Sequence, residues 1–123
     1  MNINIKATNI ELTSAISDYI NKKLEGFDRF KKSNDEELTV FVEVGKTTNH
    51  HKQGDYYRAE FNIILGGDKF YTFTEKEDLY KSIDIAKDDI LRKIKNKRER
   101  RSTLIRRGAG KIKQMIRGLY QRQ

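Results

Sequence analysis

The spacing of hydrophobic residues changes repeatedly along this chain, and each change predicts an element. Ile3 and Ile5 alternate with Asn4 and Lys6, the period of a half-buried strand, until Asn9 breaks the alternation. From Thr13 the spacing becomes three and four, through Leu12, Ile16, Tyr19/Ile20, Leu24 and Phe27, which predicts a helix to about Phe30. Thr13 is its expected N-cap, and Gly26 weakens its end. Ser33-Asn34-Asp35 reads as a turn, after which Leu38, Val40, Val42 and Val44 share one face of a second strand opposite Thr39, Phe41 and Glu43.

Lys46 to Asp55 has no apolar period and is expected to be a loop. Strand three is expected from Tyr56 to Leu65, Gly66-Gly67-Asp68 as a hairpin turn, and strand four from Phe70 to Thr74, so that the last three strands form an antiparallel meander. Thr74 and Glu77 are spaced like a capping box, with Tyr80, Ile83, Ala86/Lys87, Ile90 and Ile94 as the buried stripe of the helix that follows. The order β-α-β-β-β-α predicts an α+β domain: a four-stranded sheet with two helices packed on one face, resembling a double-stranded RNA-binding domain. On strand three, Tyr57, Ala59 and Phe61 are expected to face the helices, and Tyr56, Arg58 and Glu60 to face out. The outward set mixes charge signs, which makes it a poor base-stacking platform for RNA.

After Ile94 no apolar residue appears until Leu104, and Lys95, Lys97, Arg98, Arg100 and Arg101 crowd the interval. With no stripe to bury, this stretch is expected to project beyond the core as a solvated cationic extension. Reversing Arg98, Arg100 and Arg101 to Glu should then leave the fold intact. Further on, Ile105, Ala109, Ile112, Ile116 and Leu119 recur at helical spacing among Arg106, Arg107 and Lys111, while Gly108 and Gly110 lower intrinsic helicity by up to ~1 kcal/mol each. The expected organisation is a domain over residues 1–101 and a basic amphipathic tail over 102–123 that is helical against a partner.

Charge sharpens this division. The chain has 123 residues, and residues 1–84 hold 12 Lys/Arg against 15 Asp/Glu, whereas residues 85–123 hold 14 against 3. A cationic rod on a mildly acidic domain is built to meet a polyanion, and nucleic acid leads. With no Cys, disulfides and thiolate chemistry are excluded. No apolar run approaches the ~20 residues of a membrane span, and the N-terminus lacks signal-peptide order, so a cytoplasmic protein is expected.

The run Glu77-Asp78-Leu79-Tyr80-Lys81-Ser82-Ile83-Asp84, with the opening Ile3-Asn4-Ile5-Lys6-Ala7 and the helix start Leu12-Thr13-Ser14-Ala15-Ile16, resembles the ribosome hibernation-promoting factor family, which includes the ribosome-associated translation inhibitors. Ile90 to Ile94 and Lys97-Arg98 are similar to the basic end of that family's second helix. The resemblance spans about residues 1–101. It implies a stress or stationary-phase factor that binds the small ribosomal subunit and its rRNA near the decoding channel, overlapping the paths of mRNA and tRNA. Carried over by position, the RNA-binding residues are Lys87, Arg92, Lys93, Lys97, Arg98, Arg100 and Arg101, and Lys95 joins them on charge and location. Long members continue through an acidic linker into a dimerisation domain, whereas residues 102–123 here are basic. Arg106, Arg107 and Lys111 are therefore read from their own chemistry, as further ribosome contacts, against two rivals for the tail: an anionic membrane surface or a partner groove.

No nucleophile, base and metal constellation can be assembled, so no enzyme, cofactor or small-molecule substrate is expected. His50 and His51 adjoin in the polar loop without a third ligand, a weak metal signal. Asp88 and Asp89 are consecutive in a helix, point about 100° apart and are read as surface charges. The rival to the ribosomal reading is a general structured-RNA-binding module.

Overall fold

The structure is a computed structural model that describes residues 1–47 and 54–121, with side chains through residue 99. The elements follow in the order β1 (Asn2–Thr8), α1 (Ser14–Lys23), a short 3-10 helix (Phe27–Phe30), β2 (Leu38–Thr47), β3 (Tyr56–Leu65), β4 (Asp68–Lys76) and α2 (Leu79–Gln121). The strands form one sheet in the order β1-β2-β3-β4. Thus the α+β architecture expected from the sequence is observed, meander included. β1 lies parallel to β2, with Ile3 opposite Val40 and Ile5 opposite Val42, and the remaining pairs are antiparallel. A parallel pair needs a crossover, which α1 supplies.

Alternation decides which face each strand buries. Leu38, Val40, Val42 and Val44 of β2 and Ala59, Phe61, Ile63 and Leu65 of β3 point inward, where Ile16 and Ile20 of α1, Leu24 at its C-cap and Leu79, Ile83, Ala86, Ile90 and Ile94 of α2 cover them. Burial of a large aliphatic side chain contributes about 1.5–3 kcal/mol, so this contiguous core is the main source of stability in a chain without disulfides. The inward and outward assignments on β3 hold as expected.

Several boundaries differ from the sequence reading. The first helix stops at Lys23 rather than about Phe30, because Gly26 takes a left-handed conformation (φ 84°) and the chain restarts as the 3-10 helix that delivers Phe27 into the core. Thr13 does cap α1, its side-chain oxygen accepting from the Ile16 N–H at 3.2 Å. Lys46 and Thr47, assigned to the loop, still pair in β2 with Tyr57 and Tyr56. Strand four starts at Asp68, expected in the turn, where it pairs with Leu65, and it continues to Lys76, so Thr74 and Glu77 form no capping box. No described helix is long and apolar enough to cross a membrane.

Candidate nucleic-acid interface

Asp78 opens α2. Its carboxylate accepts from the Tyr80 N–H at 2.8 Å, while its carbonyl takes the Ser82 N–H at 3.0 Å. Ser82 Oγ, fully buried, donates to the Thr74 carbonyl at 2.7 Å and ties the helix start to the end of β4. Leu79, not Tyr80, begins the buried stripe. Tyr80 lies at the flank, its ring edge-to-face with Tyr19 of α1 at 4.8 Å. Tyr19 in turn donates to Asp84 at 2.6 Å, and Lys23 sits 3.0 Å from the same carboxylate oxygen. Burial acts to raise the Asp84 pKa, yet the Tyr19 hydrogen bond and the Lys23 charge outweigh it and hold the group below the usual carboxylate range. Asp84 therefore joins the two helices.

The expected cations distribute unevenly around this helix. Lys87 leans toward α1, with its ammonium 3.4 Å from Asp88. Arg92 is 68% exposed, 3.8 Å from Asp89, and Lys95 is exposed with no ion pair among the described residues. Lys93 turns to β4, donating to the Tyr71 carbonyl at 2.9 Å and lying 3.5 Å from Asp89. Asp89 is more than the surface charge expected: it accepts from Thr72 Oγ1 of β4, and chiefly that hydrogen bond, with Lys93 and Arg92 behind it, lowers its pKa. Asp88 is solvent-exposed.

Arg98 is the main correction. It was expected on a solvated extension, but its side chain is only 11% exposed, the least of the described α2 cations that form ion pairs. Its Nη2 lies 3.2 Å from Glu36, 3.5 Å from Asp68 and 3.3 Å from the Leu65 carbonyl. Lys97 pairs with Asp68 at 3.1 Å and stands over the Phe70 ring. The core stripe thus ends at Ile94, but the packed part of the helix reaches Arg98, and charge reversal there would leave Glu36 and Asp68 against a third carboxylate. The side chains of Arg100, Arg101, Arg106, Arg107 and Lys111 lie outside the described residues, as do His50 and His51. The backbone there is a single helix through Gln121, with no break at Ser102. Forty-three residues at 1.5 Å rise make a rod of about 65 Å.

One feature was missed from the sequence, and a second extends the outward face expected of β3. Lys22, Lys23 and Arg29 border an open cleft of about 390 Å³ shared with Lys87, so cations of α1 and of the 3-10 helix flank those of α2. Their helical periodicity was legible, but the crossing of α1 over α2 was not. On the opposite side of the sheet, Phe41, Ile64, Tyr71 and Phe73 are exposed, and the Arg58 guanidinium stacks on Phe73 at 4.0 Å. Arg58 also pairs with Glu75 at 3.3 Å. Among the described residues no three His, Cys, Asp or Glu side chains converge as a metal site.

A mixed four-stranded sheet, two helices on one face and a second helix running far past the sheet with exposed cations define a particular class of small α+β domain. The chain belongs to the Sigma 54 modulation protein / S30EA ribosomal protein family, which matches residues 3–102. It is similar to a ribosome hibernation promotion factor of Picosynechococcus, 28% identical over 100 residues, which are 81% of this chain and 50% of the relative. The chain therefore spans about half the length of that curated relative. The N-terminal domain of Thermus thermophilus Protein Y is 34% identical and superposes with a TM-score of 0.65, covering 78% of this chain and 98% of that domain. A ribosomal subunit interface protein from Coxiella burnetii, at 15% identity and a TM-score of 0.61, covers 80% of this chain and 99% of its own and speaks for the fold alone.

Proposed function

We propose that this protein is a ribosome-associated hibernation factor that binds the small subunit through rRNA at the decoding channel and blocks mRNA and tRNA sterically. The observation that carries this reading is the cationic α2 of a Sigma 54 modulation / S30EA family domain, with Arg92, Lys93, Lys95 and Lys97 exposed along it. Lys87, Lys22, Lys23 and Arg29 widen the same surface toward α1. Phosphate contacts of this kind position a protein without reading bases, which suits recognition of folded RNA by shape and backbone. Arg100, Arg101, Arg106, Arg107 and Lys111, further along the same helix in sequence, would add phosphate contacts in this reading. Residues 102–123 act as a basic tail appended to the domain of residues 1–101. No catalysis is required, and the cytoplasm is where such a factor would work.

The test is cosedimentation of the full chain with purified small subunits, in the presence and absence of mRNA and initiator tRNA. Binding to subunits that mRNA and tRNA displace is the expected result. Equal affinity for naked duplex RNA would replace this reading with the general RNA-binding module, and binding indifferent to mRNA and tRNA would remove the decoding channel.

A further inference from the structure

Ile90, Ile94 and Arg98 are spaced four and four, so Arg98 occupies the next position of the buried stripe and points toward the sheet rather than away from it. What it meets there is assembled from two distant segments. The β3–β4 turn brings the Leu65 carbonyl and the buried Asp68, and the turn before β2 brings Glu36. Glu36 is itself held: the same Oε1 accepts from the Lys32 N–H at 3.2 Å, and the Gly66 N–H donates to the Glu37 carbonyl at 3.0 Å. Gly66 has φ 59°, and a Cβ there would come 2.6 Å from Glu36 Oε2, so the turn lies tight against this carboxylate. Nε and Nη1 of Arg98 are buried with no hydrogen-bond partner among the described residues. A guanidinium so enclosed is poorly placed to reach a phosphate.

We infer that Glu36, Asp68 and the Leu65 carbonyl form a clasp on Arg98 that sets the direction in which the cationic helix leaves the domain, making Arg98 a positioning residue for the RNA contact rather than a phosphate ligand. Ile94 is the last apolar anchor, and the clasp extends the anchorage by one turn, about 6 Å along the axis. Leverage makes that turn matter. Residues 99–121 form a rod of about 35 Å, so a 10° change in its direction moves the far end by about 6 Å, enough to take a cation off its phosphate. The choice of partner rests on the proposed function, whereas the clasp itself does not.

The experiment uses the full chain with spin labels at Lys6→Cys and Gly108→Cys, the chain having no other cysteine. Label-to-label distances are measured in the free protein, and binding to small subunits is measured across a salt series. Glu36→Gln is the decisive variant, because it removes a negative charge, leaving every cation in place, and keeps an acceptor for the Lys32 N–H. The clasp requires Glu36→Gln to broaden the distance distribution and to weaken binding about threefold or more, at an unchanged salt slope, since the loss is one of preorganisation. Arg98→Gln should do the same, and the double variant should be no worse than either single one. If Arg98 is instead a phosphate ligand, Arg98→Gln makes the log–log salt slope shallower by about 0.7–0.9 and Glu36→Gln binds as well or better, which overturns the inference. Unchanged distances in Glu36→Gln overturn it as well. Should the unmodified chain fail to bind small subunits, the functional reading falls while the distances still decide the clasp.

Discussion

Helix α2 contains two regions that share a backbone and little else. Up to Ile94 it is held by an apolar stripe against the sheet, with acids such as Asp84 and Asp89 bonded to neighbouring elements. Between Ile94 and Leu104 the sequence has no apolar residue, and the same helix continues to Gln121 through a strongly cationic sequence. The first region is organised by the fold, and the second is where the proposed function puts the partner. Arg98 stands at the boundary, a charge used in the manner of the first region although its composition belongs to the second.

The contrast can be broken at either end. Ile90→Ala, in the fully buried stripe, should destabilise the domain by about 2–5 kcal/mol, read by denaturant unfolding, and a smaller loss would mean that the packed region is looser than described. Arg92→Glu combined with Lys95→Glu should leave stability within about 0.5 kcal/mol. The same pair should weaken small-subunit binding about tenfold or more and make the salt slope shallower by about 1.4–1.8 units, as for two phosphates, and an unfolded product or unaltered binding would erase the distinction between the regions. Asp78→Ala removes the cap of the packed region and should lower stability by about 1 kcal/mol without touching the salt slope.

The smallest effect concerns pH. The carboxyls of Asp84 and Asp89 are held below their ordinary range, so their contribution to stability is complete above the unfolded value of about 3.9 and is lost as pH falls through the lower folded values. Thr72→Val should bring Asp89 back toward an ordinary carboxylate in a carbon-detected NMR titration. An unmoved Asp89 would show that Lys93 and Arg92, rather than Thr72, hold it down.

Much of this was legible in the sequence where the signal was local. The strand alternation of Val40, Val42 and Val44, the Thr13 cap and the Gly66-Gly67 turn each depend on a few adjacent residues, and the observed elements follow them. Cap choice at α2 misled because Thr74 and Asp78 both suit the role, and only the pairing of β4 through Lys76 decides between them. Arg98 was misjudged for a different reason. Its spacing from Ile90 and Ile94 marked it as inward, but its partners are far away in the chain, and nothing local distinguishes a clasped arginine from a solvated one. The Lys22, Lys23 and Arg29 border likewise needed the packing of α1 on α2.

The parallel pairing of β1 carries a consequence for how the molecule comes together in time. Asn2 sits opposite Thr39 and must wait for the intervening α1 to be laid across the sheet, whereas β2, β3 and β4 pair through successive returns of the chain. Closing a longer loop before any contact rewards it is the slower step, so the meander with the first turns of α2 should form the nucleus and β1 should dock last. With no proline in the chain there is no prolyl isomerisation to obscure that order. Conservative truncations should then slow refolding at Ile63 and accelerate unfolding at Ile5. The reverse pattern would make the N-terminal strand, the most distant in sequence from the cationic rod, the seed on which the rest is built.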